Sequence, residues 1–225
     1  MYKSIKELKN KHLKEDIWVI TAGSSMDYVP KNLFDNKVTI SVNDMVQHFK
    51  SDYLVMKDCM KPKFAHTLEY AKKFNIPLLF SKHHEGKSQS QLNNVSNPNS
   101  YVFEHNPKLN PFKDEINNLK EDEIINSRST ITTAMHIAAY MGAKNIILCG
   151  HDCGTINNKL YYKNYLPAGK HPKQWWGNIE GAISQYEDQT AITREYLKKK
   201  YDSNVVSLNP FINFNLENNQ YTPTR

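Results

Sequence analysis

The segment 129–152 constrains the fold of this chain more than any other part of the sequence. It opens with hydroxyl residues, continues through small and apolar residues to Gly142, and turns into the apolar run 146–149. Hydroxyl side chains cap helices and glycine ends them, so the pattern predicts a capped helix followed by a buried strand. Ala138 and Ala139 let that helix approach a sheet closely. A helix that leads directly into a buried strand is typical of parallel α/β proteins.

Three other short apolar runs repeat this arrangement. Residues 17–20, 38–42 and 53–56 are rich in β-branched and aromatic side chains, and the runs are followed by polar residues. The carboxyl ends of parallel strands meet at one edge of an open sheet, where ligands usually bind. The remaining predicted elements are strands at 77–80 and 205–208, helices at 45–50, 64–74 and 182–200, and an N-terminal amphipathic helix that buries Ile5, Leu8 and Leu13. The sequence therefore predicts an α/β fold with a mostly parallel sheet and helices on both faces.

Length and polar segments define the domain organisation. The chain has 225 residues, and we predict one Rossmann-like domain that covers all of them. A polar insertion near 81–127 is predicted to contain a long loop at 81–110 and a loosely specified helix at 110–123. A second polar insertion is predicted near 153–180, and both are interpreted as lids or acceptor-binding segments. The tail from Asn213 is predicted to be a surface segment or a frayed end.

The composition predicts the cellular compartment of this protein and the charge of its partner. No run approaches the roughly 18 apolar residues of a membrane span, and the N-terminus lacks the apolar core of a signal peptide. Three cysteines suit a reducing compartment, so a cytoplasmic protein without a transmembrane segment is predicted. Cys149, His151 and Cys153 do not have the spacing of a zinc site, and no metal is predicted there. The formal net charge of +6 favours an anionic partner.

The loop after the first predicted strand is the first candidate binding site. Gly23 permits close approach of the backbone, and the hydroxyls of Ser24 and Ser25 can donate to phosphate oxygens. One of these serines is also predicted to cap a short helix that begins near Met26. The loop has neither the dinucleotide-binding nor the P-loop glycine spacing, and a plain turn is the alternative interpretation. The predicted nucleotide-binding residues are Ala22, Gly23, Ser24, Ser25, Asn43, Asp44, Thr130, Thr132, Gly150 and Tyr161.

Three motifs carry a resemblance to a known family. The first is the strand and loop 19–26, the second is the strand end 41–44 with its Asn43, and the third is the helix, strand and Gly-x-Asp of 130–152. Together they resemble the MptE-like, Rossmann-like proteins and the related bacterial sialyltransferases of glycosyltransferase family 42. The third motif is the most specific. The resemblance implies a Rossmann-like fold that binds a nucleotide.

The resemblance also implies a donor and a set of contacts. In the sialyltransferases, the residues that match Gly23, Ser25, Asn43 and Thr130 help to hold the CMP donor. The expected partners are therefore a nucleotide-activated sugar, of the CMP-sialic-acid type, and a glycan or another hydroxyl acceptor. Two departures from the family pattern concern the same loop, because Ala22 and Ser24 stand where the family has Asn and Pro.

Catalysis by glycosyl transfer requires a base for the acceptor hydroxyl and donors for the departing phosphate. The family's catalytic His, just ahead of the late helix, has no counterpart here, and His171 is a candidate substitute. Asp152 is the other candidate base, with capping of a turn as its structural alternative. The candidate donors are Tyr161, Tyr162 and Lys163, and the candidate stacking rings are Trp175 and Trp176. No metal or other cofactor is required for this reaction.

Two other functions remain open at this stage. The resemblance to MptE-like enzymes implies a pyrophosphokinase that transfers diphosphate from ATP, with Mg²⁺ held by carboxylates such as Asp44, Asp58 and Asp152. The charge of +6 and the aromatic residues interleaved with lysine over 159–176 suggest a non-catalytic nucleotide- or nucleic-acid-binding module, although no binding motif is present. The sequence makes no prediction of the oligomeric state.

Overall fold

The computed structural model describes residues 2–61, 64–84, 87–107, 112–126, 129–165, 179–208 and 221–223. The strands within these residues are β1 (Lys3–Ser4), β2 (Asp16–Ile20), β3 (Val38–Val42), β4 (Tyr53–Met56), β5 (Leu78–Ser81), β6 (His83–His84), β7 (Lys87–Ser90), β8 (Ser100–Phe103), β9 (Asn145–Cys149), β10 (Gly154–Ile156), β11 (Asn204–Ser207) and β12 (Tyr221–Pro223). The α-helices are α1 (Ala65–Lys73), α2 (Phe112–Asn117), α3 (Thr130–Tyr140) and α4 (Ile179–Tyr201). The short 3-10 helices whose bounds lie within the described residues are Ile5–Leu8, Ser24–Tyr28, Lys31–Phe34, Asn43–Gln47 and Leu92–Asn94.

Eight of the strands form one sheet in the order β1-β8-β5-β4-β3-β2-β9-β11. Every neighbouring pair in this sheet is parallel. The chain runs outward from β2 through β3, β4 and β5 to β8, and then returns to place β9 on the other side of β2. Because the strand order reverses at β2, the crevice outside the carboxyl ends of β2 and β9 is a topological switch point. Ligands usually bind in such crevices in open α/β sheets. The predicted Rossmann-like α/β fold is confirmed.

Apolar residues cover both faces of the sheet. On one face, α3 packs against the inward residues of β2, β3 and β4, and ten of its eleven residues are buried. Leu197 of α4 belongs to the same cluster. On the other face, α1 places Ala71 against Leu54 and Leu78 of the neighbouring strands. Helices therefore cover both faces, as the sequence predicts, because parallel strands are buried on each side.

The start of the chain differs from the prediction. In place of an amphipathic helix, β1 leads into the 3-10 helix Ile5–Leu8, which Ser4 and Glu7 close with a capping box. Asn10 and Lys14 then adopt positive φ angles of 58° and 65°, which end regular helical structure. Leu13 is 60% exposed, so it does not share the buried face that the sequence predicts for it.

The segment 81–110 is also not the long loop that the sequence predicts. It contains the short hairpin of β6 and β7 and, more importantly, β8, which lies inside the main sheet between β1 and β5. Tyr101 and Phe103 of β8 are buried, so the segment contributes to the core. The helix predicted at 110–123 is described only as the six residues of α2. β8 has only four residues and polar residues flank it on both sides. Such a short pattern does not predict a strand.

The tail contributes a strand that the sequence does not predict. Residues 221–223 form β12, which pairs antiparallel with β10, the next strand along the chain after β9. Of the two alternatives predicted for the tail from Asn213, a surface segment or a frayed end, the frayed end is wrong for residues 221–223, because they pair with β10. The pairing places β12 beside the chain that follows the switch point.

Buried His136 links α3 to its neighbours and makes stability sensitive to acid. The Ile125 N–H donates to Nδ1 of His136 at 3.0 Å, so Nε2 carries the proton towards the Tyr201 hydroxyl at 2.8 Å. Burial lowers the pKa of His136 to about 3 from its ordinary value of 6.5. The unfolded chain therefore binds more protons between these two values, and stability present above pH 6.5 is lost as the pH falls.

We expect the free energy of unfolding to decrease on acidification with a contribution from His136 of up to about 1.4 kcal/mol per pH unit. Denaturant unfolding between pH 7 and pH 4 measures this slope. The variant His136→Phe loses both hydrogen bonds and lowers stability at pH 7, but its slope should be shallower by that amount. An unchanged slope would contradict the assignment.

Candidate functional site

The ends of β2 and β9 touch through their backbones at the switch point. The Thr21 N–H donates to the Cys149 carbonyl and the Gly23 N–H donates to the Gly150 carbonyl, each at 2.8 Å. A Cβ atom on residue 23 would lie 2.2 Å from the oxygen of Gly150, so only glycine fits. Gly150 has a φ of +75°, and a Cβ there would lie 2.4 Å from the Thr21 oxygen. The two glycines therefore allow the loops that follow β2 and β9 to contact each other through their backbones.

Asp152 connects these loops through its carboxylate. Oδ2 accepts the Ser25 N–H at 2.8 Å, Oδ1 accepts the Ser25 hydroxyl at 2.5 Å, and the Ser24 hydroxyl lies 3.5 Å from Oδ2. The prediction that a serine caps the short helix is wrong, because the N-cap of Ser24–Tyr28 is Gly23. Both serines are instead buried in the first turn and bonded to a carboxylate from the neighbouring loop.

The environment of Asp152 favours an anchoring role in this conformation. Its side chain is only 6% exposed, and this burial raises the pKa of the carboxyl above its ordinary value, with the Ser25 hydrogen bonds opposing the shift. A general base must reach the hydroxyl that it deprotonates, and both oxygens of Asp152 already accept hydrogen bonds. Asp152 as the catalytic base therefore stays a prediction, with anchoring of the loop as the role supported by its contacts.

The two predicted tyrosines lie on a segment that packs against the Gly23 loop. Tyr161 forms a β-bridge with Gly23, and the Tyr162 N–H donates to the Ala22 carbonyl at 2.8 Å. The ring of Tyr161 stacks on Tyr165, with centroids 5.6 Å apart. The ring of Tyr162 lies in an apolar cluster and is 5% exposed, whereas the sequence predicts a hydroxyl presented to phosphate. The role of Tyr162 as a donor to phosphate therefore stays a prediction, with packing in the apolar cluster as the role that its contacts support.

The end of β3 contributes Asn43 and Asp44. Asn43 adopts a positive φ of 52° as it starts the 3-10 helix Asn43–Gln47, a conformation that Asn tolerates well. Asp44 accepts a hydrogen bond from the Thr67 hydroxyl and lies 3.4 Å from Nε2 of His66. Both partners belong to α1. Asp44 therefore connects the end of β3 to α1 through these two side chains.

The N-terminus of α3 brings the predicted threonines to the same edge of the sheet. A helix that leads into a parallel strand runs against that strand, so its N-terminus lies at the carboxyl edge. Ser129 is the N-cap and accepts the Ile131 N–H at 3.4 Å. Thr130 is half-buried, and the fully buried Thr132 donates to the Ser129 carbonyl at 2.9 Å. The half-buried Thr130 thus joins the strand ends at this edge, while the hydroxyl of Thr132 supports the first turn.

The three carboxylates proposed for Mg²⁺ do not form one ligand set. Asp152 is bonded to serines, Asp44 to α1, and Asp58 lies 3.3 Å from Nζ of Lys61. Among the residues that the structure describes, no three His, Cys, Asp or Glu side chains are grouped in a way that could hold a metal ion. Mg²⁺ requires near-octahedral oxygen ligands, so these residues, as arranged here, do not fit it.

A buried group of polar side chains at the ends of β4, β5 and β8 was not predicted. We call it the polar cluster; its buried members are Lys57, Ser81, Gln91, His105 and Glu115, and it also includes the half-buried Asn126. The signal in the sequence was the position of three of them, because Lys57 follows β4, Ser81 ends β5 and His105 lies two residues after β8. The sequence alone does not align these three positions, because it predicts a loop where β8 lies.

Hydrogen bonds join the members of the polar cluster. Ser81 Oγ lies 2.7 Å from Nδ1 of His105, and Nε2 of His105 lies 3.1 Å from Nδ2 of Asn126. The Asn126 N–H donates to Glu115. Burial lowers the pKa of His105 to about 4 and raises the pKa of Glu115 to about 7. His105 is therefore neutral near pH 7. The pKa of Glu115 lies near that pH, so its carboxyl is partly protonated there.

Two predicted functional groups lie outside the described residues. These are the candidate base His171 and the aromatic pair Trp175 and Trp176. Their roles stay predictions, while Gly23, Ser25, Asn43 and Gly150 follow strand ends at the carboxyl edge of the sheet and Thr130 starts α3 at the same edge.

The fold and the switch-point loops define an open, parallel α/β protein of Rossmann-like type. The chain belongs to the MptE-like family, whose model is described as 6-hydroxymethylpterin diphosphokinase MptE-like and matches residues 1–158. The predicted relationship to this family is confirmed. No helix within the described residues has both the length and the apolar character needed to span a bilayer.

Two solved structures from Campylobacter jejuni resemble this one. The sialyltransferase CstII, determined in complex with the substrate analogue cytidine-5'-monophosphate, has a TM-score of 0.51 at 11% identity, covering 88% of this chain and 81% of that chain. The monofunctional α-2,3-sialyltransferase Cst-I has a TM-score of 0.47 at 16% identity, covering 87% and 76%. At this identity the likeness to CstII shows the fold. A search of curated proteins gave no match.

Proposed function

We propose that this protein is a transferase that takes a sugar from a nucleotide-activated donor and passes it to a hydroxyl acceptor. The observation that carries the proposal is the convergence of the β2, β3 and β9 ends on one edge, where Gly23 and Gly150 let the loops after β2 and β9 contact each other at the topological switch point. Such edges bind nucleotides in open α/β sheets. The shared fold with a sialyltransferase that binds a cytidine nucleotide supports a CMP-linked donor.

The proposed reaction needs few groups from the protein. The acceptor oxygen attacks the sugar carbon, its proton passes to a base, and the bond to the nucleotide phosphate breaks with its electrons on the phosphate. Donors at the positive N-terminus of α3, including the half-buried Thr130, would stabilise that charge. Asp152 and His171 remain the proposed bases. No step requires a metal ion.

Diphosphate transfer from ATP is the second candidate function. The family match over residues 1–158 favours it. It also ends on an acceptor hydroxyl, but it would need Mg²⁺, and Asp44, Asp58 and Asp152 would have to exchange their present partners to bind it. The need for this rearrangement makes it the second choice.

A thermal-shift series separates the candidates. We expect CMP, or a CMP-linked sugar, to raise the melting temperature without Mg²⁺, because a ligand that binds the native state stabilises it. UDP, GDP and ATP serve as matched nucleotides, each with and without Mg²⁺. Stabilisation by Mg-ATP alone would favour diphosphate transfer. An unchanged melting temperature with every nucleotide would exclude both glycosyl transfer and diphosphate transfer. Salt-sensitive binding of a polynucleotide would then support a nucleic-acid-binding module.

A further inference from the structure

Strand β12 is the outer strand of a small ribbon that ends at the Gly23 loop. It pairs antiparallel with β10, and Ile156 of β10 exchanges both backbone hydrogen bonds with Lys159, at 3.1 and 2.9 Å. Tyr161, two residues further along the chain, forms the β-bridge with Gly23. The order across the ribbon is therefore β12, β10, residues 159–162 and the Gly23 loop. Backbone pairing thus connects a strand of the tail to the proposed nucleotide site.

A tight turn joins β10 to residues 159–162. Asn157 and Asn158 form this turn, and both have positive φ angles, of 49° and 60°. Two central residues of this kind make a turn that two-residue hairpins favour, and asparagine tolerates the conformation. The side chain of Asn157 also donates to the Tyr28 hydroxyl at 3.4 Å. Residues 154–162 therefore form a hairpin, which we call the Asn157 hairpin.

Strand β12 completes the outer edge of the Asn157 hairpin. Successive residues of a strand turn their N–H and C=O groups to opposite edges. Ile156 turns its groups to Lys159, so the groups of Thr155 point to β12, where Thr222 is the register partner. A hairpin of only two strands is marginally stable in water. The third strand therefore stabilises the hairpin in the conformation that the structure shows.

The inner edge of the hairpin is attached to the segment that carries Gly23. The Tyr162 N–H donates to the Ala22 carbonyl at 2.8 Å. Asp27 lies in the 3-10 helix that follows Gly23, and its Oδ1 accepts the Lys163 N–H, also at 2.8 Å. Separation of the hairpin from the loop would break both hydrogen bonds. The position of the hairpin and the geometry of the Gly23 loop are therefore coupled.

We propose that β12 is a positioning element of the nucleotide site, a strap that holds the Asn157 hairpin closed on the Gly23 loop and so raises nucleotide affinity. The inference rests on the proposed function for its ligand. A loop that is already held in its binding geometry loses less freedom when a ligand binds. The hairpin also carries Tyr161, which the sequence predicts to contact the nucleotide. When a binding-competent form is only partly populated, the apparent affinity falls by that fraction.

The test compares two substitutions at one position of the full chain. Thr222→Pro removes the N–H that faces Thr155, whereas Thr222→Ala keeps it and is the matched control. We expect Thr222→Pro to speed hydrogen exchange at the Ile156 and Tyr162 amides and to weaken CMP binding about three- to tenfold, because the hairpin is then closed for only part of the time. A chain that ends at residue 220 should reproduce both effects.

Gly142→Ala controls for a general loss of stability. Gly142 has a φ of +92°, so alanine strains the backbone there, but the exchange of the hairpin amides and the affinity for CMP should stay at their wild-type values. The same two effects in Gly142→Ala would overturn the strap, since they would then follow from stability alone.

The remaining outcomes separate this inference from the proposed function. Equal exchange in Thr222→Pro and Thr222→Ala would overturn the strap, and so would faster exchange in Thr222→Pro with unchanged CMP affinity. If the wild type binds none of CMP, UDP, GDP and ATP while Thr222→Pro still speeds exchange at the hairpin, the proposed function fails. The strap is then retained as a support of the hairpin.

Discussion

Replacement of Gly23 by alanine is expected to abolish nucleotide binding and to lower the free energy of unfolding by about 3 kcal/mol, as overpacking at a rigid contact does. The added methyl would lie 2.2 Å from the Gly150 oxygen and 2.5 Å from Oδ2 of Asp152. The first of these atoms is backbone, so relief requires separation of the β2 and β9 loops. Nucleotide titration and denaturant unfolding measure the two effects.

Gly142→Ala provides the matched control for Gly23→Ala. Gly142 has a φ of +92°, and its Cβ would lie 3.0 Å from Cα of Leu13, so alanine strains the backbone there too. Gly142 follows the C-terminal end of α3, at the opposite edge of the sheet. This variant should be less stable but should bind nucleotide with the wild-type affinity. Nucleotide binding by Gly23→Ala at that affinity would refute the proposed location.

Asp152→Ala is expected to weaken both folding and nucleotide binding. The substitution leaves the Ser25 N–H and hydroxyl without their acceptor, and an unsatisfied buried donor costs about 1–3 kcal/mol. Removal of a buried charge offsets part of this cost, and we expect a net loss of about 2 kcal/mol. Ser25→Ala removes only the hydroxyl bond and should lose about 1 kcal/mol.

The pH dependence gives this prediction a sign. Burial raises the folded-state pKa of Asp152 above 3.8, so the stability that its protonated form contributes is complete below pH 3.8 and is lost as the pH rises through the folded value. The difference between wild type and Asp152→Ala should therefore be largest in acid. If Asp152 is instead the catalytic base, turnover falls while the melting temperature and nucleotide affinity are kept.

The elements that the sequence predicts best are those whose pattern is both long and continuous. Residues 145–149 and 38–42 form inner strands of the sheet, and four of the five residues in each are buried, which fits their β-branched and apolar character. Helix α3 is buried along its length, and its small residues and Ser129 cap are visible in the sequence. For these elements, local pattern and tertiary position agree.

The parts that could not be predicted depend on distant partners. β1 has two residues and exists only because β8 pairs with it, about a hundred residues later. Asp152 has the appearance of a turn residue or a base until Ser25 is placed against it. Prediction of the polar cluster would have required the position of β8. Three of its members are aligned only when β4, β5 and β8 are in register. Local propensity carries no information about such pairings.

The contact between β2 and β9 has a consequence for how the chain acquires its fold. Thr21 and Cys149 are 128 residues apart in sequence, yet they are adjacent at the boundary between β2 and β9. During synthesis β2 can pair with β3 early, but its other edge stays uncovered until more than half of the chain has followed. Topologies dominated by such distant contacts fold slowly, because the entropy of loop closure is lost before the contact forms. The switch point is therefore among the last parts of the protein to be assembled, and its half-formed edge is the region most open to wrong pairing.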